Sequence, residues 1–106
     1  MIPWEEIERA EVPGGEEEVI LSRRGTEFSI RVAATELMNS RIHGSEDALA
    51  ELTCSRISRK PGRRILIGGL GMGYTLAAAL QHSEDDSLIT VAELIPAVIR
   101  WNREHL

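Results

Sequence analysis

The feature that most constrains this chain is a cluster of glycines between a short apolar run and a helix-forming segment. The run 65–67 (Ile-Leu-Ile) is uninterrupted, rich in β-branched residues and too short for a helix, so it predicts a buried strand. From Tyr74 onward the composition favours a helix. A strand, a glycine turn and a helix, in this order, are typical of the first part of a nucleotide-binding βαβ unit. In such a turn, glycine lets a ligand approach the backbone closely and permits positive φ.

The spacing of the glycines narrows the type of ligand. They follow the pattern G-x-G-x-G, from Gly69 through Gly71 to Gly73. The dinucleotide fingerprint G-x-G-x-x-G/A fails in both registers, since its last position falls on Tyr74 or on Leu76. An NAD-binding half-domain is therefore disfavoured, and the sequence contains no P-loop pattern.

A second apolar strand follows downstream and ends at an acidic residue. The strand is predicted over 88–92, and Glu93 comes 22 residues after Gly71. A carboxylate about 20 residues beyond the turn, at the carboxyl end of the second strand, can accept both hydroxyls of an adenosine ribose. Pro96 then suits the first turn of a helix. A crossover connection predicts that the two strands are parallel and adjacent.

The segments 65–73 and 91–94 together resemble the first two motifs of the class I S-adenosylmethionine-dependent methyltransferase fold. The surrounding sequence looks most like the spermidine synthase family and its relatives. The resemblance implies a ligand of the S-adenosylmethionine or decarboxylated S-adenosylmethionine type, and methyl or aminopropyl transfer, the latter in polyamine biosynthesis. It implies these cofactor-binding residues: Gly69, Leu70, Gly71, Met72, Gly73, Glu93 and Leu94.

Upstream, two runs that alternate or are rich in apolar residues predict a β-hairpin. They are 18–22 and 28–32, separated by a turn that contains Gly25. Residues 1–17 are polar and carry Pro13-Gly14-Gly15, which predicts an arm or a short helix leading into a turn. Spermidine-synthase-like proteins place a small β-domain ahead of the nucleotide-binding domain, so the order agrees with the resemblance.

A polar stretch and a helix follow the hairpin. Ser45 is the predicted N-cap of the helix, whose buried stripe is predicted to comprise Ala48, Leu49, Leu52 and Ile57. The resemblance implies that the polar stretch contacts the substrate through Glu36, Ser40, Arg41 and Glu46. Capping and solvation of the helix explain Glu46 equally well.

The breaker at 60–63 (Lys-Pro-Gly-Arg) ends the helix, and the chain divides here into two predicted regions. Residues 1–62 form the arm, hairpin and helix, and 63–106 form the N-terminal half of a Rossmann-like, S-adenosylmethionine-binding domain. The predicted fold class is thus α/β, a hairpin followed by the first βαβα units of an incomplete methyltransferase sheet. The family's later strands, which carry its catalytic acid, have no counterpart here, so catalytic residues stay unassigned and enzymatic activity stays open.

An incomplete sheet would leave strand edges open, which predicts a homo-oligomer formed through those edges. A truncated transferase that binds a nucleoside is one interpretation. The alternative is a non-catalytic, self-associating module that keeps the fold without a working site.

Composition excludes several partners. The formal net charge of −5 argues against nucleic acid and anionic membranes as ligands. No apolar run approaches the ~20 residues of a membrane span. The single cysteine, Cys54, is interpreted as a packing residue and favours a cytoplasmic location. The three histidines, His43, His82 and His105, lack metal-ligand spacing, so no metal site is expected.

Overall fold

The computed structural model describes residues 2–57 and 62–106. Its elements in chain order are β1 (Glu5–Glu11), β2 (Glu18–Arg24), β3 (Glu27–Val32), β4 (Thr35–Asn39), α1 (Gly44–Arg56), β5 (Arg64–Gly68), α2 (Tyr74–His82), β6 (Leu88–Ala92) and α3 (Pro96–Glu104). They form two compact units. The first contains the described residues up to His43 together with Leu94–Leu106, and the second contains Gly44–Glu93.

The first unit is built on a four-stranded antiparallel sheet in the order β1-β2-β3-β4. The central pair, β2 and β3, is the predicted hairpin. The prediction of an arm or short helix over 1–17 was wrong, because Glu5–Glu11 is a strand paired with β2. A register shift between Glu6 and Glu8 leaves Ile7 as a bulge. The bulge and the many charged side chains remove the alternation by which a strand is recognised.

Among the described residues, the hydrophobic side chains buried in the first unit are aliphatic except for one indole. Val19, Leu21, Ile30 and Trp101 are all at most 1% exposed. The indole N–H of Trp101, on α3, donates to the Glu8 carboxylate on β1. Arg100 donates to the same carboxylate at 2.5 Å. This shared acceptor links α3 to the edge strand of the sheet.

The second unit contains the predicted strands and helices around the glycine turn. β5 and β6 are parallel and in register from Arg64↔Leu88 to Gly68↔Ala92, which confirms the predicted parallel pair. One face of this pair is half-buried or buried, and it packs with Ala50 of α1 and Ala78 and Ala79 of α2. The buried part of this core is small in volume, because three of its four buried residues are alanines.

The predicted buried stripe of α1 was wrong at its two leucines. Leu49 is 60% exposed and Leu52 is 55% exposed, whereas Ala50 and Cys54 are buried. The helix therefore turns its small side chains toward α2 and leaves its large apolar ones outside. Ser45 lies within the first turn, since α1 begins at Gly44.

The fold is thus mixed α/β, with a four-stranded antiparallel sheet and a two-stranded parallel sheet with helices. The compact units are divided differently from the predicted regions 1–62 and 63–106, because α1 belongs to the unit of β5 and β6 and α3 to that of the antiparallel sheet. Lys60 and Pro61 of the predicted breaker lie outside the described residues.

The hydrogen bonds that Glu8 accepts predict that the free energy of unfolding falls in acid. Hydrogen bonds from Trp101, and then from Arg100, lower the pKa of Glu8 below its ordinary value. A carboxylate whose pKa is lower in the folded than in the unfolded protein contributes to stability at pH values above the unfolded pKa, which for glutamate is about 4.3. This contribution is lost as the pH falls through the folded pKa. We therefore expect Glu8→Gln to flatten the pH dependence of the free energy of unfolding below about pH 4.3. Urea denaturation at a series of pH values measures this.

Glu16→Gln is the matched control, because Glu16 is an exposed carboxylate in the turn before β2. It should leave the acid dependence of the wild type intact. Equal flattening by both variants would show that the bonds from Trp101 and Arg100 have no specific effect on stability.

Candidate functional site

The glycine turn between β5 and α2 has a backbone that only glycine adopts readily. Gly69, Gly71 and Gly73 have φ values of 91°, 53° and 81°. Each lies in the region of positive φ, where a β-carbon is strained. The amide of Gly69 donates to the carbonyl of Ala92 at 2.7 Å, and that of Gly73 donates to the carbonyl of Leu70 at 2.8 Å. The turn is therefore fixed at its start to β6 and closed within itself.

The Glu93 carboxylate contacts this turn directly. Its Oε1 accepts a hydrogen bond from the amide of Leu70 at 2.7 Å and a longer one from the amide of Gly71 at 3.4 Å. Consecutive amides in a turn of this kind form a concave group of donors that suits an anion. Here the chain's own carboxylate occupies that position, at the carboxyl end of β6.

The helix that follows the turn begins without a side-chain cap. Gly73 is the N-cap residue of α2, no side chain caps the helix, and its first turn contains no acidic residue. The first amides of a helix lack intrahelical acceptors, and the dipole places partial positive charge there. An acidic group of a ligand would be stabilised at this position.

The two parts of the turn differ in what they favour. Beside Glu93, a phosphate would face a carboxylate of the same charge, whereas a hydroxyl group can donate to it. At the start of α2, a carboxylate or another anion is favoured. A ligand with hydroxyl donors at one point and an anionic group at another fits this combination.

The other residues that the sequence assigned to the cofactor lie in two places. Leu70 and Met72 are half-buried within the turn. Leu94 is 67% exposed and belongs to the first compact unit. Leu70 contributes its backbone, through the amide that donates to Glu93.

Three of the four predicted substrate residues belong to the first unit, where they make internal contacts. Glu36 accepts hydrogen bonds from Asn39 at 2.7 Å and from the fully buried Ser29 at 2.8 Å. These bonds, that of Asn39 first, lower the pKa of Glu36. Ser40 Oγ accepts from the amide of Phe28 at 2.8 Å.

Arg41 and Glu46 are likewise involved in local interactions. Arg41 Nε lies 3.5 Å from the Glu27 carboxylate. Glu46, in the first turn of α1, accepts a hydrogen bond from Ser45 Oγ at 3.3 Å and belongs to the second unit. Structural roles therefore explain the contacts of all four residues.

Asn39 is a residue whose role the sequence analysis missed. Its Oδ1 accepts hydrogen bonds from the amides of Arg41, at 3.0 Å, and Ile42, at 2.8 Å. An asparagine side chain that accepts a hydrogen bond from the amide two residues later forms an Asx turn. An asparagine within the polar stretch was therefore the available sequence signal.

Within residues 2–57 and 62–106, no group of three or more His, Cys, Asp or Glu side chains is arranged to hold a metal ion. No helix among these residues has both the length and the apolar character needed to cross a membrane.

Comparison with known proteins gave no match, either to a protein-family model or to a curated protein sequence.

Proposed function

We propose that the second unit binds the nucleoside part of an S-adenosylmethionine-type ligand, as the first half of a spermidine-synthase-like or methyltransferase-like domain. The observation that carries the proposal is the contact of the Glu93 carboxylate with the amides of Leu70 and Gly71. This contact holds an acidic group beside a bare main-chain turn, where ribose hydroxyls can donate to it. The same turn leads into α2, whose start favours the carboxylate of a methionine moiety.

The glycine pattern favours this ligand over a dinucleotide. The dinucleotide fingerprint requires a small residue at its last position, which here falls on Tyr74 or on Leu76. An acid at the end of the second strand occurs in dinucleotide-binding folds as well, so Glu93 supports a ribose in either ligand. The ligand class supported best is therefore a ribonucleoside without phosphate, of which S-adenosylmethionine, its decarboxylated form and methylthioadenosine are members.

A self-associating module without catalytic function is the second candidate. It is favoured by the exposure of Leu66 (72%) and Leu88 (60%) on the outer face of the parallel pair. Parallel strands are normally covered on both faces. A function in assembly requires that face or its edges, whereas ligand binding requires the turn, so the two are separable by experiment.

Replacement of Glu93 tests the nucleoside site. We expect Glu93→Ala to abolish binding of methylthioadenosine, measured by isothermal titration calorimetry, because it removes the acceptor for the ribose hydroxyls and for the turn. Glu93→Gln keeps an oxygen acceptor but loses the charge. Since a charge-assisted hydrogen bond is about twice as strong as a neutral one, we expect Glu93→Gln to weaken binding by about tenfold.

Glu84→Ala is the control for this series. Glu84 is an exposed acidic residue of the same unit, in the connection between α2 and β6, so its replacement causes the same change in net charge. Binding should be unchanged in this variant. Absence of binding in the wild type, or equal binding in the wild type and Glu93→Ala, would refute the site.

Strain in the turn provides an independent test. A β-carbon added at Gly69 would meet no atom within 4 Å, so Gly69→Ala acts through its φ of 91° and not through a clash. We expect Gly69→Ala to lower the free energy of unfolding by about 1–2 kcal/mol, because the alanine must adopt a strained φ. If the turn shifts to relieve this strain, its amides move, and we expect methylthioadenosine to bind more weakly.

Gly14→Ala is the matched control for Gly69→Ala, because it places the same kind of strain outside the glycine turn of residues 69–73. Gly14 has a φ of 77° and also has open space around its α-carbon, but it lies in the connection between β1 and β2. Both variants should lose stability in thermal denaturation, and only Gly69→Ala should lose affinity in calorimetry. Unchanged affinity in Gly69→Ala would contradict a role of the turn in binding.

A further inference from the structure

We draw no further inference here: the strongest candidate, the apolar groove that Leu49 of α1 lines together with residues 65–68 of β5, carries nothing because nothing in the structure shows what covers it.

Discussion

The hydrogen bond from the amide of Leu70 to the Glu93 carboxylate connects the ends of the second unit's two strands. β5 ends immediately before the turn, and β6 ends immediately before Glu93. The bond therefore fixes the turn relative to the parallel pair, together with the bond from the amide of Gly69 to the carbonyl of Ala92. A turn with three residues at positive φ is costly to order, and these two bonds partly compensate for that cost.

The charge of the carboxylate matters as well as its position. A neutral acceptor could hold the same two amides, but a carboxylate accepts charge-assisted hydrogen bonds, which are about twice as strong as neutral ones. It also repels any anion that approaches it. In the proposed site, the same carboxylate would accept hydrogen bonds from the hydroxyl groups of a ligand.

The parts of the fold that could be predicted are those governed by local pattern. The two apolar strands, the glycine turn and the helix that begins at Pro96 follow from short runs whose composition leaves few alternatives, and the structure has all of them. The position of Glu93 beside the turn follows in the same way, because parallel neighbours end at one edge of a sheet. Even so, the pattern could not indicate that the amides of Leu70 and Gly71 would be the donors.

The parts that could not be predicted depend on tertiary contacts. β1 was missed because its bulge and charges hide the strand period, and only pairing with β2 orders it. Ser29 follows an alternation that places it on the polar side, yet it is fully buried, since its hydroxyl finds an acceptor in Glu36. The leucines of α1 show the opposite case. Their pattern predicts burial, and the described residues leave them exposed.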